Sequence, residues 1–389
     1  MSKEELFASE SFIPFVQHLY AHLKPSHEKE NLFFSPLSIY SSLALALCGA
    51  TEQTHHGIAH TLFVKTAHLQ DYAYTLQHLG DRIKEIKASD KLDTLKLANG
   101  IFCDAGFEVN PHFTKEVQTY FHAEGKQVDF ASNHEKSRQT INEWVEMHTE
   151  KKIKELLPSD SIDNSTRLVL ANAIYFKGTW EKVFHRDLTH EAPFHTLDGK
   201  EVTVPMMKDN GVYEAYEFNE ISATCVKIPF KTCHMLIVLP NDKKGLPCLL
   251  KDLLNMHHPS HFNALFKSSN YQKSRYDLIL PKFKLGANGK CMDLKGPVSQ
   301  MGAAHMFDQS KAKFERITTK ERLYVSAMVH KAMIEVNEEG AEAAAATGMS
   351  IMPMSLVPCI AADHPFLFFI VTDNEFPVFA GHVMNPLEE

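Results

Sequence analysis

The chain has 389 residues, 44% of them hydrophobic and 23% charged, a balance ordinary for a globular protein with a large core. A formal net charge of −8 argues against a general nucleic-acid binder, which is usually basic. No stretch approaches 18 uninterrupted apolar residues, so no membrane span is expected, and neither a linker nor a repeat divides residues 1–389, which read as one domain.

Residues 1–5 are polar and acidic, with no apolar run before a small-residue cleavage site, so no secretory signal peptide is expected. Residues 11–23 carry Phe12, Phe15, Val16, Leu19 and Leu23 at helical spacing, with Ser11 placed to cap them. Residues 37–50 are apolar on nearly all sides, as suits a helix buried beneath a sheet. Helical periods continue through 62–87, 111–120 and 137–157, the last with Ile141, Trp144, Val145 and Ile153 on its apolar face. Residues 95–102 and 166–176 are strand-like. After Trp180 the chain turns largely to strand, over 212–217, 224–229, 235–239, 276–284, 323–336, 367–371 and 378–383. Helices first and strands later make an α+β chain.

An enzyme needs a site, and no Gly-x-Ser-x-Gly, Gly-x-Gly-x-x-Gly or His-Glu-x-x-His is present. No cofactor or metal is expected. His257-His258-Pro259-Ser260-His261 has no thiol or carboxylate ligands at matching spacing and, like His55-His56, reads as solvated surface. Seven irregularly spaced cysteines suit free thiols in a reducing compartment, with a Cys225–Cys233 disulfide across a hairpin as the minor alternative. Asn164-Ser165-Thr166 is a glycosylation sequon that would go unused in the cytoplasm. Lys84, Lys87 and Lys91 read as a charged helix face.

The most informative stretch is 335–366, where the residues between two segments of strand character, 323–336 and 366–371, have no apolar period of their own; so long a loop is usually functional or disordered. Its first half is small: Gly340, Ala341, Ala343, Ala344, Ala345, Ala346, Thr347 and Gly348. Propensity alone favours a helix there, whereas the flanking strands favour an extended segment. In a strand, Ala341, Ala343, Ala345 and Thr347 share one face, with Glu342, Ala344 and Ala346 on the other. Small inward side chains would let such a segment enter a sheet without overpacking it.

Glu338-Glu339-Gly340-Ala341-Glu342-Ala343-Ala344-Ala345-Ala346-Thr347, with Pro365-Phe366 downstream, resembles the hinge and reactive loop of the serpins. Residues 31–39, Asn-Leu-Phe-Phe-Ser-Pro-Leu-Ser-Ile, resemble the family's entry into its second helix, and residues 172–180, Asn-Ala-Ile-Tyr-Phe-Lys-Gly-Thr-Trp, its central-strand signature. Val329-His330-Lys331-Ala332 and Phe379-Ala380-Gly381-His382-Val383 also fit, so the likeness runs along the whole chain. It implies three β-sheets, about eight or nine helices and an exposed reactive-centre loop near 338–362.

The family's spacing places the reactive bond at Met354–Ser355, with Ile351, Met352 and Pro353 beside it and Met352 as a competing cleavage position. A long uncharged Met354 suits an apolar specificity pocket and not an acid-lined one. The resemblance therefore implies a monomeric suicide-substrate inhibitor of elastase-like or chymotrypsin-like serine proteases. The alternative is a non-inhibitory binding or chaperone protein whose loop is cut as a plain substrate. Family members without a signal peptide are cytoplasmic or leave the cell by an unconventional route. Ser35, Ser38, Asn172 and His330 match the polar cluster under the middle of the main sheet, Trp180 the aromatic residue at its top, and Glu338 with Lys282 the pair anchoring the hinge. Control of sheet opening is the implied role; static core stabilisation is the plain alternative for each.

Overall fold

The computed structural model describes residues 11–64, 77, 79–81, 84, 95–121, 124–176, 178–286, 291–339 and 357–388. Helix α1 (Ile13–Leu23) buries Phe15, Val16, Leu19 and Leu23 as its period predicts. Ser11 does not cap it: the N-cap position is Phe12, and Ser11 Oγ donates to Phe63 O at 3.2 Å. Helix α2 (Pro36–Gly49) is buried along its whole length. Its last residue must be glycine, because a Cβ there would lie 2.4 Å from the Ile317 side chain. Helix α3 (Glu52–Thr61) has no counterpart among the sequence expectations, and most of the helix expected at 62–87 lies outside the described residues.

Helix α4 (Pro111–Phe121) falls where expected, whereas α5 (Phe130–His148) begins and ends earlier than the period over 137–157 suggests. The shift has two local causes. Asp129 caps the helix, accepting from Ser132 N at 2.8 Å. Beyond its end, Asn142 Oδ1 accepts from Leu156 N and Leu157 N at 3.1 and 2.8 Å, folding the following segment back on the helix. Ile153 is thus buried, but from an irregular turn.

Among the described residues there are fifteen strands. The first eight are β1 (Leu32–Phe34), β2 (Leu95–Asp104), β3 (Glu124–Val128), β4 (Leu168–Phe176), β5 (His190–His195), β6 (Glu201–Phe218), β7 (Ala223–Pro229) and β8 (Cys233–Pro240). The rest are β9 (Gln272–Pro281), β10 (Phe283–Leu285), β11 (Met292–Asp293), β12 (Ala327–Val336), β13 (Cys359–Ala361), β14 (Phe366–Thr372) and β15 (Pro377–Val383). One sheet has the order β10-β12-β4-β2-β3, with β11 also on β12. The other runs β1-β15-β14-β8-β7-β6-β9-β13, with β5 on β6. The three sheets implied by the sequence are joined into two hydrogen-bonded units because β6, 18 residues long, passes through both parts of the larger one. Its first half pairs with β5 and its end with β7, while β9 spans the middle.

The first sheet is covered on both faces, so every residue of β4 is buried. On one face Trp144 and Val145 of α5 pack against Ala98, Ala171, Ala173 and Val329. The small residues make room for the helix: a Cβ at Gly100 would sit 2.9 Å from the Trp144 ring. On the other face Leu168, Leu170 and Ile174 join the main core with α2. Cys225 lies opposite Val238 on β8, and Cys233 lies opposite Thr372 on β14, so the hairpin cannot bring the two thiols together. No disulfide joins any of the seven cysteines. Among the described residues no helix is long and apolar enough to cross a membrane, and no group of three or more potential metal ligands occurs.

Candidate functional site

The centre of the first sheet is a parallel seam. Strand β12 lies directly beside β4, in register from Ala327↔Val169 to Ile334↔Phe176. Parallel pairs are slightly less stable per residue than antiparallel ones, so this seam is the weaker kind of strand contact. Asn337, Glu338 and Glu339 follow β12 and lead into the small-residue stretch.

These three residues are held from the side by the segment after β4. Trp180 Nε1 donates to Asn337 O at 2.8 Å, and the backbone N–H groups of Phe184 and Trp180 donate to Glu338 O and Glu339 O at 2.9 and 3.4 Å. The indole is itself fixed, stacked on Phe230 with centroids 4.1 Å apart and met edge-on by Phe184 at 5.7 Å. Glycine at 178 permits this packing, since a Cβ there would come within 2.6 and 2.8 Å of the Phe176 and Phe230 rings. Glu338, almost fully buried, accepts from Lys282 Nζ at 2.9 and 3.1 Å and from Thr189 Oγ1 at 2.9 Å. Burial opposes its ionisation, but the Lys282 hydrogen bond leads a set of contacts that holds its carboxyl below the usual value. Arg186 pairs with Glu339.

A polar cluster lies under the seam at mid-height. Ser35 caps α2, accepting from Ser38 N at 3.2 Å, and its hydroxyl donates to Val378 O at 2.8 Å. Its backbone N–H donates to His330 Nε2 at 3.0 Å, so the His330 proton resides on Nδ1, which donates to Asn172 Oδ1. The Asn172 amide donates to Ser38 O and to Asn99 Oδ1, each at 2.6 Å, and Ser38 Oγ donates to the same Asn99 oxygen at 3.0 Å. The cluster ties β12, β4, β2 and α2 together. Buried groups of this kind stay satisfied, so the seam can part only by exchanging partners.

Burial pushes the His330 pKa down to about 3, and Ser35 N–H already occupies the nitrogen that protonation would need. Burial likewise lowers His234 to about 3 and His382 to about 4. Unfolded histidine titrates near 6.5. The folded chain therefore refuses protons that the unfolded chain takes up below about pH 6.5, so this stability is complete above that pH and lost progressively down to about pH 4 for His382 and about pH 3 for His330 and His234. The expected result is a urea midpoint that falls between pH 7 and pH 5, by about 2 kcal/mol for each fully buried histidine. A flat midpoint over that range would show that these rings do titrate in the folded state.

The structure brings Ser35, Ser38, Asn172 and His330 into one hydrogen-bonded group, and Trp180, Lys282, Glu338 and Glu339 into a second at the end of β12. Gly340 to Thr347, and the stretch from Ile351 through Met352, Pro353 and Met354 to Ser355, lie outside the described residues. Asn99, Thr189, Arg186 and Phe230 were not singled out from the sequence. Asn99 had a usable signal, being an amide in the strand-like run 95–102. The other three act through contacts far apart in the chain.

A family model described as serpin, serine protease inhibitor, matches residues 11–386. The chain is 34% identical to human Serpin B9 over 93% of its own length and 94% of that protein. It is 35% identical to leukocyte elastase inhibitor of Sus scrofa over 96% of its length and 97% of that protein. Among solved structures, the cleaved serpin 42Da superposes with a TM-score of 0.82 at 34% identity, covering 98% of this chain and 99% of that one.

Proposed function

Because the chain belongs to the serpin family, a family of serine protease inhibitors and not of enzymes, we propose that it traps elastase-like or chymotrypsin-like serine proteases as a suicide substrate. The protease serine attacks the Met354 carbonyl, the Ser355 amine leaves, and an acyl-enzyme forms. The freed stretch 340–347 then enters the seam between β4 and β12 as an added strand, carrying the tethered protease with it before water can release it. One continuous ladder between two strands is replaced by two, so insertion gains backbone hydrogen bonds while it breaks the parallel contact.

The observation that carries this reading is the closed parallel seam whose end, at Glu338 and Glu339, is gripped by side chains that can let go. The small side chains from Gly340 to Thr347 support insertion over the plain-substrate alternative. The uncharged Met354 and the porcine relative, a leukocyte elastase inhibitor, both support elastase-like targets. Seven free cysteines support a reducing location, in the cytoplasm or before unconventional release.

The test is incubation with pancreatic elastase and with chymotrypsin, followed by a denaturing gel and mass spectrometry. The expected outcome is a gel-stable 1:1 covalent complex plus a C-terminal fragment beginning at Ser355. Clean cleavage without complex would make the chain a substrate and end the inhibitory reading. A fragment beginning at Pro353 would move the reactive bond to Met352.

A further inference from the structure

Beside the turn of the β7–β8 hairpin opens a cavity of about 600 Å3, a size typical of small-molecule sites. Lys227 on β7 contributes to its lining with a side chain only 8% exposed. An ammonium has three donors, and this one makes a single close hydrogen bond, to Ser268 Oγ at 3.0 Å. The carboxylate nearest to it, Glu214, stands 3.8 Å from Nζ and is shared with Lys273 at 3.5 Å. The Tyr271 ring lies 4.3 Å from Nζ and offers its π-face but no lone pair. Glu375, whose charge also acts on Lys227, accepts from the Ser268 backbone N–H.

Burial lowers the Lys227 pKa against the pull of Glu214 and Glu375, and burial with the Lys227 charge keeps His234 neutral. Glu181 and Asp373 line the same cavity but are exposed, as are Lys231 and Lys273, so these charges are screened by solvent. What is left inside is a buried ammonium with one close hydrogen bond, whose nearest counter-charge, Glu214, stands 3.8 Å away and is shared with Lys273, so a carboxylate brought to hydrogen-bond distance would pair with it more closely than Glu214 does. Pro229, Phe230 and Val212 add apolar wall, and Val212 is 63% exposed.

We propose that this cavity binds a small organic carboxylate with an apolar body, its carboxylate on Lys227 and its body against Phe230 and Val212. The site is independent of the protease-trapping reading, but it touches the same machinery. The Phe230 ring that walls the cavity is the one stacked on Trp180, whose indole holds Asn337 at the end of β12.

The full chain is titrated calorimetrically with cyclohexylacetate and, in parallel, with the uncharged cyclohexylacetamide. Saturable 1:1 binding of the acid is expected, at least tenfold weaker for the amide and at least tenfold weaker for Lys227→Met. Val212→Glu, a change at an exposed position that leaves the core alone, is expected to weaken the acid several-fold by placing a carboxylate beside the site. It decides the question if Lys227→Met does not fold. In Trp144→Phe the emission of the one remaining tryptophan, Trp180, should shift on saturation. No binding of the acid, equal binding of acid and amide, or wild-type affinity in both variants overturns the site; unshifted Trp180 emission overturns its contact with the hinge.

Discussion

Replacing His330 with alanine is expected to lower the unfolding free energy by about 3–5 kcal/mol and to bring polymer formation on mild heating to a lower temperature. The residue is fully buried, so truncation leaves a cavity that the strands on either side cannot close. It also strands two partners at once: the Ser35 N–H loses its acceptor, and Asn172 Oδ1 loses its donor. Each unsatisfied buried group costs about 1–3 kcal/mol, and the two sit where the cluster ties the cap of α2 to β4, one side of the seam. The loss should therefore fall on the closed seam more than on the rest of the fold. Urea unfolding measures the first effect, and native gels after graded heating measure the second. A large drop in stability with unchanged polymerisation would mean that the cluster is ordinary core and has no part in sheet opening.

The geometry of this cluster shows where sequence reading stops. Ser35 and Ser38 could be named because they sit three residues apart in one recognisable run, and Asn172 and His330 because each lies in a signature of its own. Asn99 was passed over because its importance comes from the β2–β4 register, which sets it directly opposite Asn172. A register between strands some seventy residues apart is a tertiary fact, and no period within 95–102 encodes it. The same limit explains α5. Its apolar period continues through Ile153, yet the helix stops at His148 because Asn142 satisfies the backbone of Leu156 and Leu157. It explains the sheets as well. The reading at 212–217 caught only the end of β6, whose earlier residues become strand through their pairing with β5 and β9. The small-residue stretch stands apart: it lies outside the described residues, and its proposed role rests on side-chain size alone, which the sequence states outright.

Replacing Ala341 with arginine is expected to turn the chain from inhibitor into substrate, with the yield of covalent complex falling more than tenfold while the rate of cleavage stays near that of the parent. In the proposed mechanism the two outcomes compete from one acyl-enzyme, so the yield depends on the rate of insertion relative to the rate of hydrolysis. A barrier higher by 1.4 kcal/mol slows insertion about tenfold. In the proposed inserted strand, alternation would put residue 341 on the inward face with Ala343, Ala345 and Thr347. An arginine there would have to enter a space bounded by β4 and β12, where β4 is buried throughout, and an unpaired charge in such a place costs several kcal/mol. Glu342→Arg supplies the control. It puts the same charge one residue away, on the opposite face, and should leave the complex yield largely intact. Titrating both variants against the protease that the parent traps, with complex and cleaved chain quantified on one gel, separates the cases. Equal loss in both would point to a general effect of charge on protease docking. Loss at 341 alone would require that the stretch enter the sheet in the extended register that its small side chains imply.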